Sequence, residues 1–337
     1  MGARARLAAW LESIWYEGAR VPLALGLLEP VYAALLRLRR WGYSAGLRRI
    51  SHIGVPVAVV GNLTVGGTGK TPLVAALAAE LARRAWRPGI VLRGYGGRRQ
   101  SPMIVGRDTD AAVCGDEAAL LARSVDLPVA VGRRRAAAAA LLVQRADCDV
   151  IVSDDGLQHW GLARDLEIAV VDGRRRFGNG RLLPAGPLRE PAARLRAVDF
   201  VVANGAAQPG EAAMQVSGSR ACSLVRPGRQ LPLESLRGQR VHAVAGIGHP
   251  ARFFDLLRGH GIEVMPHPLP DHHEYDGSEL RFDDSRPVLV TEKDAVKCAR
   301  WADERVWVVP VEARLPAEWY DRVHARLHQV RLQGSSP

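Results

Sequence analysis

The chain has 337 residues, of which 47% are hydrophobic, and its formal net charge is +11. This length suits two globular domains, or one domain with a sizeable appendage, and the composition excludes a disordered or fibrous protein. The positive charge indicates anionic partners, which leaves nucleic acid, anionic lipid and a phosphorylated substrate open. The four cysteines lie far apart and without metal-site spacing, which favours free thiols in a reducing compartment.

Residues 1–50 combine basic and aromatic side chains, with eight arginines against three glutamates. Pro22 and Pro30 interrupt the apolar runs, so no run approaches the roughly 20 residues needed to span a bilayer. Basic, Trp-containing amphipathic helices are typical of proteins that lie on a membrane surface. We therefore expect a helical, membrane-associating segment here. The alternative is a pair of ordinary helices that cover the core.

From residue 51 to residue 205, short β-branched runs alternate with Ala- and Leu-rich stretches, as in a series of β-α-β units. The predicted strands are residues 55–60, 89–92, 128–131, 150–153, 167–171 and 200–203. The predicted helices are residues 71–84, 116–124 and 133–145. Nearly continuous apolar strands are typical of a parallel sheet buried on both faces, so we expect a three-layer α/β domain.

The first strand of this domain runs into a glycine-rich turn that ends in Lys70 and Thr71. In such a turn, backbone N–H groups converge on phosphate oxygens, the lysine reaches the outer phosphates, and the hydroxyl can bind Mg²⁺. Position 64 departs from the usual pattern, which has glycine there. The residues predicted to hold a nucleotide are Thr64, Val65, Gly66, Gly67, Thr68, Gly69, Lys70 and Thr71.

Two pairs of acids follow in the same domain. Asp116 and Glu117 stand at a predicted helix start, where capping alone accounts for one acid. Asp154 and Asp155 end an apolar strand, at the sheet edge where a metal-orienting acid is expected beside a phosphate-binding turn. A helix cap or a turn explains one member of this second pair but not both.

Beyond residue 205 the alternation weakens, and we expect a linker over 206–240 that has room for a small hairpin, a smaller α/β domain over 241–332 and a disordered tail over 333–337. In the smaller domain the predicted strands are residues 241–245, 288–290 and 306–309, and the predicted helices are 250–258, 293–301 and 316–329. Residues 271–274 hold two acids and two histidines in sequence. This cluster suits proton transfer or the orientation of a base better than structural zinc, and a polar loop is the alternative.

Lysine occurs only at positions 70, 293 and 297, although the chain has 46 basic Lys and Arg residues. Because lysine carries a compact charge and arginine a planar fork, these lysines mark places where the fork does not fit, unless they were retained by chance. Lys293 and Lys297 are four apart on one predicted helix. They either meet phosphate or belong to an ordinary solvated face.

Eight motifs occur in the order found in the tetraacyldisaccharide 4′-kinases of lipid A biosynthesis, and the chain resembles this family from about residue 10 to about residue 310. The motifs lie at residues 64–71, 92–96, 115–117, 154–159, 178–190, 245–248, 271–272 and 291–294. The family has the same non-glycine residue at the start of its phosphate loop, which accounts for Thr64. One departure is His249, where the family pattern has asparagine.

The resemblance implies a P-loop NTPase-like three-layer domain with a second, smaller α/β domain, at the cytoplasmic face of the bacterial inner membrane. It implies transfer of the γ-phosphate of ATP, with Mg²⁺, to the 4′-hydroxyl of an acylated glucosamine disaccharide 1-phosphate. Asp116 is then the base and His272 its partner from the second domain, so that the cleft is expected to close on ATP. The implied metal-site residues are Thr71, Glu117, Asp154 and Asp155, and Arg93, Arg134 and Arg189 are candidates for the substrate 1-phosphate or for ATP.

Two other classes of function stay open on the residues alone. The first is a P-loop ATPase or GTPase that acts on nucleic acid, which the net charge favours. Its arginines are scattered, however, and residues 291–294 have the wrong spacing for a guanine-specifying element. The second is a non-catalytic membrane scaffold that uses a nucleotide as a switch. We expect a lipid acceptor and no nucleic-acid partner, and the sequence does not determine the oligomeric state.

Overall fold

The computed structural model describes residues 3–99, 101–271 and 273–334. Their helices are α1 (Ala3–Tyr16), α2 (Leu23–Ser44), α3 (Lys70–Arg83), α4 (Ala111–Cys114), α5 (Asp116–Ser124), α6 (Arg135–Ala146), α7 (Pro250–Gly259), α8 (Glu292–Cys298) and α9 (Ala317–Gly334). Their strands are β1 (Val57–Gly61), β2 (Pro88–Leu92), β3 (Met103–Val105), β4 (Val129–Val131), β5 (Val150–Ser153), β6 (Leu166–Asp172), β7 (Phe200–Asn204), β8 (Ala212–Ser217), β9 (Arg220–Ser223), β10 (Gln230–Pro232), β11 (Arg240–Ala245), β12 (Glu263–Pro268), β13 (Val288–Thr291), β14 (Val306–Val309) and β15 (Glu312–Arg314).

Two sheets organise the molecule. The larger has the strand order β15-β8-β7-β6-β1-β5-β2-β4-β3, with parallel pairing from β8 to β4 and antiparallel strands at both edges. The smaller has the order β10-β9-β14-β13-β11-β12, in which β14, β13, β11 and β12 are parallel. We call these sheets with their helices the larger unit and the smaller unit.

Burial follows the sequence pattern that predicts the larger sheet. Every residue of β1, β2, β5 and β6 is buried, as expected for strands covered on both faces. Leu73, Leu77 and Leu81 repeat every four residues along α3, so they lie on one helix face and enter the core on one side of the sheet. Leu142 of α6 is buried in the core on the other side. The molecule is therefore a mixed α/β fold built on parallel sheet.

The boundaries between the units differ from the prediction. Residues 206–240 are not a linker, because β8 extends the larger sheet and β9 and β10 join the smaller one. The chain then returns to the larger unit, since β15 pairs with β8 and α9 buries Trp319, Val323 and Leu327 in the core that contains α3. The smaller unit thus spans about residues 220–309 rather than 241–332. Helix α9 continues through residues 333 and 334, and residues 335–337 lie outside the described part of the chain.

Helices α1 and α2 pack on the loop formed by residues 178–190 of the larger unit. Trp15 Nε1 donates to the Pro184 carbonyl oxygen (3.0 Å), the Tyr32 hydroxyl donates to the Arg189 carbonyl oxygen (3.0 Å), and Glu29 pairs with Arg181. Along the outer side of α2, large apolar residues stay exposed, namely Leu23, Leu27, Leu28, Val31, Leu35, Leu38 and Trp41. Among the described residues, no helix combines the length and the apolar character that crossing a membrane requires.

Candidate active site

The glycine-rich turn between β1 and α3 lies at the carboxyl edge of the larger sheet and lines a cleft between the two units. Gly69 has a φ of 93°, and a Cβ there would lie 2.5 Å from the Asn204 amide nitrogen. Asn204 itself donates to the Thr68 carbonyl oxygen (3.0 Å). Glycine is therefore required at this position, and the turn ends where the free N–H groups of α3 favour an anion.

Lys70 is the first residue of α3, and polar groups from two neighbouring segments hold its ammonium. Its Nζ donates to Asn62 Oδ1 (3.1 Å) and lies 3.4 Å from Asp155 Oδ1. Asn62 is fully buried directly after β1. The ammonium is thereby held at the mouth of the turn, where phosphate oxygens of a bound nucleotide would meet it.

Asp154 and Asp155 follow β5 and have opposite electrostatic environments. Asp154 is 2% exposed, and burial, reinforced by Glu117, raises the pKa of its carboxyl to about 7. The Thr71 hydroxyl donates to its Oδ2 (3.0 Å). Burial also acts on Asp155, but the charges of Lys70 and Arg189 hold the pKa of that carboxyl well below its usual range. The pKa values of these two adjacent acids are thus shifted in opposite directions, toward the neutral form for Asp154 and toward the charged form for Asp155.

Asp116 and Glu117 begin α5, where Glu117 lines the cleft and Asp116 is not among the lining residues. The residue before them, Gly115, has a φ of 91°, and a Cβ on it would lie 2.4 Å from the Tyr95 carbonyl oxygen. Only glycine fits this approach of the 92–96 loop to the helix start. The tight turn aims both acids at the smaller unit, where Lys297 Nζ lies 3.8 Å from Asp116 Oδ2 and Lys293 Nζ lies 3.8 Å from Glu117 Oε1.

The three arginines predicted to bind anions have different surroundings. Arg189 Nη1 donates to both oxygens of Asp155 (3.0 and 3.1 Å), and Arg93 is exposed and lines the cleft. Arg134 is exposed and is not among the cleft-lining residues, because α6 begins one residue later. Its neighbour Arg135 is buried, lines the cleft and donates from Nη2 to the Asp154 carbonyl oxygen (2.9 Å).

The smaller unit closes the other side of the cleft. A Cβ on Gly248 would lie 2.7 Å from the backbone nitrogen of Gly67, so the 245–248 loop touches the glycine-rich turn directly. Arg252 of α7 also pairs with Asp172 at the end of β6 (2.7 Å). His272, the predicted partner of the base, lies outside the described residues.

Comparison with protein families agrees with this geometry. A family model described as tetraacyldisaccharide-1-P 4′-kinase matches residues 21–328. The chain belongs to this family. A tetraacyldisaccharide 4′-kinase from Alkalilimnicola ehrlichii is 54% identical over 325 residues, which are 91% of this chain and 94% of the relative. The corresponding protein of Nitrosococcus oceani is 48% identical over 319 residues, with 94% of each chain covered.

A solved member of the tetraacyldisaccharide-1-P 4′-kinase family has the same fold. It is LpxK from Aquifex aeolicus, crystallised in complex with ATP. The two structures superpose with a TM-score of 0.74 at 27% identity, over 90% of this chain and 97% of that one. The larger and smaller units together therefore form the architecture of this kinase family.

Three further polar residues of the present chain lie at the site and were not predicted from the sequence. Asn62 follows β1, Asn204 ends β7, and Arg135 begins α6. A usable signal exists for the two asparagines, since each is a polar residue at the carboxyl end of an apolar strand, the edge at which ligands bind in parallel sheets. Arg135 stands in a run of three arginines, which gives no such signal.

Proposed function

We propose that this chain transfers the γ-phosphate of ATP to the 4′-hydroxyl of a tetraacylated glucosamine disaccharide 1-phosphate, a step of lipid A biosynthesis. The observation that carries the proposal is the convergence of three groups on one cleft. These are the glycine-rich turn with Lys70, the acids after β5, and the start of α5, where Glu117 lines the cleft beside Asp116. Membership of the tetraacyldisaccharide-1-P 4′-kinase family identifies the acceptor.

The larger unit is then a P-loop unit, and residues 64–71 hold the phosphates of ATP. Support comes from the strand–turn–helix geometry and from the position of Lys70 at the mouth of the turn. During transfer, negative charge spreads over the oxygens of the moving phosphoryl group, and the Lys70 ammonium offsets it. Arg189, Arg93 and Arg135 add positive charge around the same cleft and are candidates for ATP or for the 1-phosphate of the acceptor.

Asp116 is the proposed general base and His272 its partner. The 4′-hydroxyl must lose its proton as its oxygen bonds to the γ-phosphorus and the bond from that phosphorus to the bridging oxygen of ADP breaks. A carboxylate at the start of α5, 17% exposed and next in sequence to the cleft-lining Glu117, is suited to accept that proton. The smaller unit excludes water that would otherwise take the phosphoryl group.

The residues at the end of β5 fit a magnesium ion. Asp154 Oδ1 is buried and has no hydrogen-bond partner among the described residues, and burial disfavours the charge of this carboxylate. Thr71, Asp154 and Glu117 supply the oxygen ligands that Mg²⁺ prefers, whereas Asp155 is already held by Arg189 and Lys70. When bound, the ion would neutralise charge on the phosphate oxygens of ATP.

Replacing Thr71 tests this metal assignment. We expect Thr71→Ala to raise the Mg²⁺ concentration for half-maximal activity by about tenfold or more, because the hydroxyl that orients Asp154 is lost. Thr71→Ser keeps the hydroxyl and is the matched control, so its Mg²⁺ requirement should stay near that of the wild type. Activity is titrated with Mg²⁺ at fixed ATP. An equal Mg²⁺ requirement in the two variants would remove Thr71 from the metal site.

The N-terminal helices are proposed to rest on the cytoplasmic face of the inner membrane. The exposed apolar stripe of α2 lies beside Arg37, Arg39 and Arg40, the combination that favours an anionic lipid surface. Helix α2 also contacts Arg189 through Tyr32. This arrangement brings the cleft close to the surface from which an acylated acceptor would be presented.

The function is tested by incubating the protein with γ-labelled ATP and a disaccharide 1-phosphate lipid in detergent. Label is expected in the lipid at the 4′ position, and Asp116→Asn should abolish most of the transfer while ATP binding persists. Absence of label with wild-type protein that binds ATP would overturn the proposal. DNA or RNA added instead of lipid should not stimulate ATP turnover.

A further inference from the structure

Lys70 and Lys293 line the same cleft, although they are 223 positions apart in the sequence, and Lys297 lies next to it, with its Nζ 3.8 Å from Asp116 Oδ2. Lys70 lies on the larger unit, and Lys293 and Lys297 lie one turn apart on α8 of the smaller unit. Their side chains are 11–14% exposed. The two lysines of α8 therefore do not lie on a solvated helix face. Each ammonium is also close to carboxylates, so its positive charge is paired.

Lys297 joins Asp116 to groups of the smaller unit. Its Nζ lies 3.8 Å from Asp116 Oδ2 and 3.5 Å from Asp294 Oδ1, and it donates to the His273 carbonyl oxygen (3.1 Å). The ring of Tyr275 lies 5.3 Å from the same ammonium. The ammonium thus connects the proposed base with the backbone of the residue that follows His272.

Asp294 is a rigid support for this lysine. It is fully buried, and its Oδ2 accepts hydrogen bonds from the Gly246 backbone N–H (2.9 Å) and the Thr291 hydroxyl (2.6 Å). These bonds fasten the start of α8 to the end of β11. Lys297 is therefore anchored to the sheet of the smaller unit by a carboxylate that cannot rotate away.

Lys293 makes the equivalent link to the second acid of α5. Its Nζ lies 2.9 Å from Asp271 Oδ1 and 3.8 Å from Glu117 Oε1. Burial alone lowers the pKa of this ammonium, but the charges of Asp271, Glu117 and Asp116 raise it above its ordinary value. Lys293 accordingly stays charged at every physiological pH and holds two carboxylates from different units together.

We propose that Lys293 and Lys297 are positioning residues for phosphoryl transfer, which hold Asp116 and Glu117 of the larger unit in register with the smaller unit. We call these four residues the lysine clasp. The inference rests on the proposed kinase function and adds to it that the acids of α5 reach their working positions only when α8 is docked. A compact ammonium can approach two carboxylates and a carbonyl from different directions, whereas a planar guanidinium cannot replace it without displacing one of them.

The test uses the full-length chain with Lys297→Met, Lys297→Arg and Arg174→Met. Arg174 is the matched control, because it also pairs across the units, with Asp255 (3.7 Å), at an exposed position of the cleft and in an ion pair that does not include the acids of α5. We expect Lys297→Met to lower kcat by about 100-fold, the scale of a 1 Å displacement of a reacting group, with the KM for ATP within about threefold. Lys297→Arg should recover part of this loss, and Arg174→Met should keep the wild-type kcat.

The melting temperature of each variant is measured alongside the kinetics. A kcat for Lys297→Met within about twofold of the wild-type value would overturn the proposal, as would an equal loss of kcat in Arg174→Met, which would mean that any contact between the units suffices. If Lys297→Met does not fold, Lys297→Gln and Lys293→Met carry the same expectations. Transfer by the wild-type protein tests the kinase function separately, so the proposal can fail while that function stands.

Discussion

Half-buried histidines surrounded by arginines make the stability of this chain depend on pH. Burial, followed by the charges of Arg135 and Arg164, lowers the pKa of His159 to about 4, and burial lowers that of His249 to about 4 as well. In the unfolded chain both groups bind a proton near pH 6.5. The unfolded state therefore binds more protons between these values, and the stability from both histidines is complete above about pH 6.5 and is lost toward pH 4.

We expect the urea midpoint of unfolding to fall between pH 7 and pH 4, and to fall less steeply in His159→Asn. The variant removes one of two comparable contributions, so roughly half of the slope assigned to these histidines should disappear. Urea titrations at several pH values, with wild type and variant in parallel, measure the slope. An unchanged slope in the variant would show that His159 is not held neutral by the fold.

Gly115 is the residue on which the position of the α5 acids depends. In Gly115→Ala the new Cβ would meet the Tyr95 carbonyl oxygen at 2.4 Å, in addition to backbone strain of about 1–3 kcal/mol at a positive φ. Gly96→Ala is the matched control, since Gly96 also has a positive φ (80°) but nothing within 4 Å of the added Cβ. Denaturant unfolding and the transfer rate should both suffer more in Gly115→Ala. Equal losses in the two variants would contradict the steric argument.

For single residues, a motif predicts which side chains carry the chemistry, but it does not predict which of two adjacent side chains enters the cleft. The turn and the two acid pairs are predictable because their chemistry constrains spacing, and the structure brings the turn, Asp154, Asp155 and Glu117 to one cleft. Arg134 and Arg135 cannot be told apart in this way. Which of two adjacent arginines enters the cleft depends on where α6 begins, and a shift of one residue rotates a helical side chain by about 100°.

Helix α2 exposes an apolar face that a partner surface would cover. Leu23, Leu27, Val31 and Leu35 repeat every four residues, so they form one stripe along the helix. The stripe is exposed while the opposite side contacts the loop at 178–190. A membrane surface would cover such a stripe at the same time as the arginines of the helix meet anionic headgroups.

The double substitution Leu27→Glu with Leu35→Glu is expected to weaken binding to vesicles that contain anionic lipid by at least about tenfold. Leu332→Glu is the control, because Leu332 is equally exposed but lies on α9. Vesicle co-sedimentation at fixed ionic strength measures the binding. If the control loses as much binding as the double variant, α2 is not the lipid-binding surface.

Whether a strand can be predicted from the sequence depends on its position in the sheet. The central strands of both sheets were predictable as apolar runs, whereas β3, β8, β12 and β15 were not predicted, and β9 and β10 were foreseen only as a small hairpin within a linker. Most of these lie at or near a sheet edge, where a strand needs less apolar sequence. Strand β12 even contains Pro266 and Pro268, which is tolerated because it is the last strand of the smaller sheet. Only tertiary pairing defines such strands.

The two units are interleaved along the chain, because the C-terminal segment that follows the smaller unit completes the larger one. Sequence order alone suggests that a helix after residue 310 belongs to the nearest preceding strands. The burial of Trp319, Val323 and Leu327 beside α3 shows otherwise. The two units are thus joined by two chain crossings, between β8 and β9 and between β14 and β15.

We expect Leu327→Ala to destabilise the larger unit by about 2–5 kcal/mol, because Leu327 is fully buried. Hydrogen exchange should speed up in α3, β8 and β15 and stay slow in β11 and β13. Leu332→Ala, at an exposed position of the same helix, should leave both patterns unchanged. Faster exchange confined to the smaller sheet in Leu327→Ala would contradict the packing of α9.

The distribution of lysine gives the folded chain an unusual resistance to proteases that cleave after lysine. A protease that cuts only after lysine has three possible cleavage sites, after residues 70, 293 and 297, and all three side chains are only 11–14% exposed. Digestion can then begin only when these segments open, by separation of the two units or by local unfolding of α3 or α8. The rate at which its fragments appear then measures this opening, and it can be followed on the unmodified protein without any engineered label.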